Sequence, residues 1–207
     1  MKKVAWKGST LLAPMPPVMV SCGTHEESNI ITVAWTGIIN SHPPMTYISV
    51  RPSRHSYGII KESGEFAINL TPASLVREAD YCGIYTGKKV DKFAKCGFTR
   101  QEATAIGCPI IAECPLTLEC KVKEIVPLGS HDMFVAEIVA IDVAEELLDE
   151  SGKLHLDKIP LAAFAHGEYF EIGKKLGSFG LSVKKKSPSK KPTGKKPASA
   201  KPTTEKK

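Results

Sequence analysis

The sequence has no apolar run that approaches the roughly twenty residues of a membrane-spanning helix, and its short N-terminal apolar stretch is broken by prolines. We therefore expect neither membrane insertion nor a secretion signal, and a cytoplasmic location. No Cys-x-x-Cys pair occurs, and the histidines do not fall at metal-ligand spacing near the cysteines. This pattern argues against a metal site and predicts reduced, mostly buried thiols at Cys22, Cys82, Cys96, Cys108, Cys114 and Cys120.

The net positive charge of the chain belongs entirely to its last residues. Residues 184–207 contain ten lysines and one glutamate and carry +9, so that residues 1–183 carry −3 of the total of +6. This tail has no apolar residue larger than alanine and cannot bury enough surface to fold, so we predict that it is disordered. We expect one folded domain at 1–183 and a lysine- and proline-rich tail at 184–207. The tail either binds nucleic acid or another polyanion weakly or only increases solubility.

Short β-branched or alternating segments dominate the rest, without a strand-helix-strand rhythm. Strands are predicted at 16–22, 30–39, 45–50, 65–70, 116–125 and within 129–143. The alternation in 116–125 is typical of a strand with one wet face, formed by Thr117, Glu119, Lys121 and Lys123. Short helices are predicted from a Ser53 cap to Gly64, from Thr71-Pro72 to Gly83, and before Gly97. The pattern favours a mainly β fold, a β-barrel with a few short helices.

The most informative segment lies between the strand at 45–50 and the helix that follows it. Its turn contains guanidinium, imidazole and hydroxyl groups at Arg51, Ser53, Arg54, His55 and Ser56. Together with the free N–H groups of a helix N-terminus, these donors suit a phosphate monoester. No Gly-rich phosphate loop or dinucleotide fingerprint accompanies the turn, and an ordinary solvated turn is the alternative.

A second candidate region surrounds the apolar run at 30–39. Asn29, Thr32 and Thr36 could bind the edge of a planar heterocycle beside Trp35. The favoured alternative is a barrel strand with Trp35 in the core.

Three further residues carry both a functional and a structural interpretation. Lys92 could reach an anionic ligand, although an exposed surface lysine is the favoured interpretation. His166 and Tyr169 could cover a ring, or they could belong to a packed C-terminal segment.

Several separated segments together resemble one protein family. They are NIITVAWTG, SVRPSRHSYG, GEFAINL, EADYCGIYTG with VDKFA, PIIAECPLTLEC, GSHDMFVAEI and YFEIGKKLG. In this order they are similar to the flavin reductase-like family with the FMN-binding split barrel, and within it to the flavoredoxins. The resemblance covers about residues 9–183 and implies a homodimer that binds FMN non-covalently near the subunit boundary.

The resemblance also implies roles for individual residues. The family's phosphate-holding segment matches Ser49, Arg51, His55 and Ser56, with Val50 and Arg54 completing this set of candidates. The segment that faces the isoalloxazine matches Thr32, Ala34, Trp35 and Thr36. Segments that approach the flavin or its phosphate match Cys82, Gly83 and Lys92. His131 matches a histidine near the nicotinamide, with Ser130 where the family has aspartate, and His166 is a second nicotinamide-side candidate.

The implied activity is an NAD(P)H-dependent flavin oxidoreductase that uses FMN, with FAD as the alternative cofactor. A flavoredoxin-like electron carrier with a redox partner protein fits the same residues, and a polyanion-binding protein acting through the tail is a third hypothesis. The sequence does not distinguish NADH from NADPH as the electron donor, and it does not identify the terminal electron acceptor.

Overall fold

The computed structural model describes residues 1–183. The chain divides after Lys174 into two units, and all the strands and helices of the described residues belong to the first, Met1–Lys174. None of the helices in the described part is long and apolar enough to cross a membrane. The disordered tail and its polyanion binding were predicted for residues 184–207, which lie outside the described residues, and the domain boundary at residue 183 stays a prediction.

The first unit contains eleven strands and three α-helices. The strands are β1 (Val18–Gly23), β2 (Ser28–Val33), β3 (Thr36–Ser41), β4 (Pro44–Val50), β5 (Glu65–Asn69), β6 (Arg100–Gln101), β7 (Ile110–Ile111), β8 (Leu116–Pro127), β9 (Asp132–Val143), β10 (Ala162–Ala165) and β11 (Glu168–Glu171). The helices are α1 (His55–Ser63), α2 (Val76–Ile84) and α3 (Lys92–Cys96), with short 3-10 turns at Ala73–Leu75, Glu145–Leu147 and Leu156–Lys158.

Seven antiparallel strands form one sheet in the order β2-β1-β5-β8-β9-β4-β3. β2 and β3 lie at opposite edges, yet only Ala34 and Trp35 separate them in sequence. A flat sheet of this width would hold its edge strands about 28 Å apart, whereas the chain from Val33 to Thr36 spans at most about 11 Å. The sheet must therefore curl until its edges meet, which confirms the predicted mainly β barrel. The line where β2 meets β3 and β4 is called the seam below.

The core has two layers because the strands near the seam are covered on both faces. Val20, Phe66 and Phe134 belong to the cluster inside the barrel. Met19 and Phe93 belong to a second cluster between the barrel wall and helices α2 and α3. Since β1 and β2 are buried on both sides, they are held rigidly as one wall of the region described next.

Three element predictions were wrong at their boundaries. The strand predicted at 30–39 is two strands, because the chain crosses the seam at Ala34-Trp35. Helix α1 has Arg54 as its N-cap and no side-chain cap, so Ser53 does not cap it, although Gly64 ends it in the left-handed conformation as predicted. Thr71 does not cap a helix but donates to the Pro17 carbonyl, and α2 continues past Gly83 to Ile84.

The prediction of a wet face on β8 was wrong at Thr117 and Glu119, which are both buried. The Thr117 hydroxyl donates to the Asn69 side chain, and the segment between β6 and β7 covers Glu119. Both Glu119 carboxylate oxygens accept hydrogen bonds, from the backbone N–H groups of Thr104 and Ala105. The hydrogen bonds replace the water that the sequence pattern predicted at this carboxylate.

Candidate functional site

A cavity of about 250 Å³ lies at the seam of the barrel. It is called the seam cavity, and its walls come from β2, the crossing between β2 and β3, the end of β4, α2 and β10. Its lining includes ten of the predicted site residues: Thr32, Ala34, Trp35, Ser49, Val50, Arg51, Arg54, Gly83, His131 and Tyr169. Residues distant in sequence thus meet where the two edges of the sheet are joined.

Trp35 is not a core residue, contrary to the favoured interpretation of its strand. Its side chain is 41% exposed and lines the seam cavity. The indole meets the imidazole of His131 edge to face, with ring centroids 4.8 Å apart. This pair places two flat rings at the cavity, one from the seam crossing and one from the start of β9.

The cavity is electropositive at the basic turn. Arg51 and Arg54 both line it. Burial lowers the pKa of His131, and the positive charges of Arg51 and Arg54 lower it further. The imidazole is therefore held neutral beside two guanidinium groups, an arrangement that favours an anion at this end.

A second cavity, of about 730 Å³, lies next to the seam cavity and is called the outer cavity. Three segments pass from one to the other. Residues 31–33 of β2 line the seam cavity, and residues 28–29 line the outer one. Arg51 and Arg54 line the seam cavity, and the next residue, His55, lines the outer one. Residues 83–84 likewise line the seam cavity, and Gly87 lines the outer one. The junction between the cavities is therefore at the N-terminus of α1.

A buried polar pair lies behind this junction. Asn29 and Ser56 are 4% and 1% exposed, and the Asn29 amide donates to the Ser56 hydroxyl at 2.7 Å. Asn29 and His55 line the outer cavity, whereas Ser56 lines neither cavity. Among the predicted phosphate-binding groups, Arg51 and Arg54 thus lie on the seam-cavity side of the junction, and His55 lies on the outer-cavity side.

Lys92 is buried, at 2% exposure, so the interpretation as an exposed surface lysine was wrong. Its ammonium donates to the backbone carbonyls of Ile30 on β2 and Cys82 on α2. Burial lowers the pKa of Lys92. Lys92 therefore holds together two elements that form walls of the seam cavity, instead of lining the cavity itself.

Three other predicted residues also lie outside both cavities. Thr36 donates to the Tyr47 carbonyl at 2.6 Å. Cys82 is fully buried with its sulfur 3.8 Å from that of Cys96, and burial raises its pKa. His166 occupies the turn between β10 and β11 with φ of 50°, whereas Tyr169 lines the seam cavity and donates to Asp80 at 3.1 Å.

Comparison with known proteins identifies the family. Residues 11–173 match the family model described as flavin reductase like domain. The chain belongs to the flavin reductase-like family.

Two solved structures match over most of the chain, and one curated relative matches over half of it. The solved structure of flavoredoxin from Desulfovibrio vulgaris (Miyazaki F) has 32% identity and a TM-score of 0.82, covering 88% of this chain and 100% of that one. Flavoredoxin from Methanosarcina acetivorans has 28% identity and a TM-score of 0.80, covering 89% and 100%. The FMN reductase (NADH) RutF of Pseudomonas syringae pv. syringae is 26% identical over 103 residues, 50% of this chain and 56% of the relative.

The sequence of this flavin reductase-like protein did not predict every residue that lines the seam cavity. Met15, Asp80, Ile84 and Phe164 line it without having been predicted. Met15 and Phe164 exchange two backbone hydrogen bonds, which bring the N-terminal arm against β10. No local sequence pattern predicts that Met15 pairs with Phe164, because the two residues lie far apart in the chain. The acceptor for Tyr169 had a weak sequence signal, since Asp80 lies within the segment EADYCGIYTG that resembles the family.

Proposed function

We propose that this chain binds FMN at the seam and acts as an NAD(P)H-dependent flavin oxidoreductase. The observation that carries the proposal is the order of groups along the two cavities. A cavity with mostly apolar walls and Trp35 at its edge leads directly to Arg51, Arg54 and the N-terminus of α1. This order matches a flat heterocycle that is joined by a chain to a phosphate.

The dimensions and charges fit FMN. The seam cavity is slightly smaller than the roughly 300–1,000 Å³ of complete small-molecule sites, so it suits the ring, with the ribityl phosphate extending to the junction. A phosphate monoester carries about −1.5 to −2 charge at neutral pH. The first N–H groups of α1 and the two guanidinium groups would donate to it.

Bound FMN would supply a ring that accepts a hydride and passes electrons on. The residues of this chain would position it. Thr32 and Ser49 line the cavity with hydroxyl groups, and the Thr32 hydroxyl donates to the Ala79 carbonyl, which fixes β2 against α2. His131, held neutral beside Trp35, is placed to contact a nicotinamide at the cavity.

A flavoredoxin-like electron carrier is the second candidate function. It is favoured by the two flavoredoxin structures, which this chain covers over their full length. A carrier would take electrons from a redox protein instead of a nicotinamide. The two functions share one binding site and differ in the donor.

The test begins with the visible spectrum of the purified full-length protein. We expect flavin absorption bands that survive desalting, and FMN as the flavin released on denaturation. Stopped-flow mixing with NADH and NADPH should then bleach these bands with at least one nucleotide. If neither nucleotide bleaches the flavin and a ferredoxin-type donor reduces it, the reductase proposal is wrong and the electron-carrier function is supported. A protein that retains and rebinds no flavin would contradict both.

We also propose a homodimer. Ile38 and Ile39, on the edge strand β3, are 67% and 48% exposed, close to the seam. Within residues 1–183, β3 forms ladder hydrogen bonds with β4 only, so its other side is free although the chain joins β2 to β3 at the seam. A free strand edge with apolar side chains is suited to pairing with a second copy. Light scattering during size-exclusion chromatography should give twice the mass of the chain, and a monomer would contradict this proposal.

Replacing Gly87 by alanine should weaken FMN binding about five- to more than a hundredfold. A Cβ there would lie 2.2 Å from Asn29 Oδ1 and 2.8 Å from His55 Cδ2. Both side chains would have to move at the junction, at a cost of about 1–3 kcal/mol. Gly58, in the middle of α1, has nothing within 4 Å of an added Cβ, and Gly58→Ala is the matched control that should leave the affinity unchanged. Equal FMN affinities for the two variants would show that the junction does not hold the phosphate.

A further inference from the structure

The outer cavity begins where the phosphate of FMN would end. It lies beyond the junction, on the side of α1 that carries His55, Ile59 and Glu62. These residues are spaced by four and three positions and therefore share one face of the helix. At about 730 Å³ the outer cavity has the size of a complete small-molecule site. Any group attached to the phosphate of FMN would have to enter it.

The lining of the outer cavity is strongly acidic. Five carboxylates and one guanidinium group line it, namely those of Glu26, Glu27, Glu62, Glu65, Asp91 and Arg100. Arg100 is paired with Asp91 at 2.9 Å. Glu65 accepts from the Gly107 N–H at 2.7 Å and lies 3.5 Å from the Lys121 ammonium.

The other three carboxylates have no such compensation. Glu26, Glu27 and Glu62 are exposed and form no ion pair within residues 1–183. The one arginine that lines this cavity, Arg100, is already paired with Asp91. Burial and then the charge of Lys88 lower the pKa of His55 at the cavity, but Lys88 itself does not line it. The charge of the lining therefore changes from positive at Arg51 and Arg54 to negative beyond the junction.

We propose that Glu26, Glu27 and Glu62 make the site selective for FMN over FAD by repelling the second phosphate of FAD. This inference rests on the proposed binding of FMN at the seam. FAD differs from FMN by an added adenosine monophosphate group, which begins at the phosphate and would extend into the outer cavity. The cavity is large enough for this group, so its volume does not exclude FAD. The charge of its lining is what opposes the second phosphate.

The size of the effect follows from the exposure of the three carboxylates. Surface charges interact with energies of about 0.2–1 kcal/mol each, so three of them account for about a threefold to more than hundredfold preference at low salt. The preference should shrink as ionic strength rises, because exposed charges are screened within about 10 Å at 0.1 M salt. A preference due to shape would not change with salt.

The test compares two full-length triple variants with the same change in net charge. Glu26→Gln/Glu27→Gln/Glu62→Gln neutralises the outer cavity. Glu145→Gln/Glu146→Gln/Glu150→Gln neutralises three exposed carboxylates that line neither cavity. Flavin-free protein is titrated with FMN, FAD and riboflavin at low and high salt, and the dissociation constants are read from the quenching of flavin fluorescence.

We expect the outer-cavity variant to bind FAD about threefold to more than a hundredfold more tightly than the unmodified chain at low salt. Its FMN affinity should change less than threefold, and the control variant should keep the original FMN-to-FAD ratio. An unmodified chain that binds FAD as tightly as FMN overturns the inference, and so does the same shift in both triple variants. A chain that binds neither FMN nor FAD overturns the proposed function, and with it this inference.

Discussion

Arg51→Ala is expected to weaken FMN binding about ten- to more than a hundredfold, because it removes charge-assisted hydrogen bonds worth about 1.5–3 kcal/mol. Arg51 lines the seam cavity at the end that leads to α1. Its guanidinium can bind two phosphate oxygens at once, which a neutral side chain cannot replace. Fluorescence titration of the flavin-free protein with FMN measures the loss directly.

Riboflavin and a second arginine provide the controls for Arg51→Ala. Riboflavin lacks the phosphate, so its affinity should change little in the variant. Arg77 is exposed on α2 and lines neither cavity, and Arg77→Ala should bind FMN like the unmodified chain. An FMN dissociation constant that is the same in Arg51→Ala and Arg77→Ala would place the phosphate elsewhere.

Lys92→Met is expected to lower the free energy of unfolding by about 1–4 kcal/mol. The substitution leaves two buried carbonyls, of Ile30 and Cys82, without the donor they have now. Relief from burying an ammonium group offsets part of this loss. Because β2 and α2 both line the seam cavity, FMN affinity should fall as well. Urea unfolding measures the stability, and Lys95→Met, at an exposed position of the same helix, should stay within about 0.5 kcal/mol of the unmodified chain.

The pH dependence distinguishes a buried lysine from one that is merely well packed. Burial lowers the pKa of Lys92 in the folded chain, so the unfolded chain binds this proton more strongly. The stability of the unmodified chain relative to Lys92→Met should therefore rise with pH from the lowered pKa up to about 10.4. A stability difference that is constant across this range would contradict the buried position of the ammonium.

The local sequence predicted those features that depend on neighbouring residues. The strand that ends at Val50, the basic turn and the helix stop at Gly64 were all recognisable, because proline, glycine and β-branched residues restrict the backbone within a few positions. The predicted end of α3 at Gly97 was likewise correct, since the helix ends at Cys96 with Gly97 as its C-cap. These local elements, in their order, were also sufficient to predict the mainly β fold and the family.

Trp35 and Lys92 show where local reasoning failed. The apolar run around Trp35 resembles one buried strand, but the chain crosses from one edge of the sheet to the other at that point and leaves the indole exposed. Lys92 resembles a surface residue of a short helix, but two carbonyls from other elements satisfy its buried ammonium. Both outcomes depend on contacts between residues far apart in the chain.

The sequence by itself determined most of the long strands and the three helices, which groups could bind a phosphate, and which family the chain resembles. The tertiary structure decided that the sheet closes at Ala34-Trp35 and that a cavity with Trp35, Arg51 and Tyr169 forms at that seam. It also decided that an acidic cavity follows directly beyond His55. The physical reason is that backbone preferences act over a few residues, whereas a cavity and its charge are set by strands that pair and helices that pack across the whole chain.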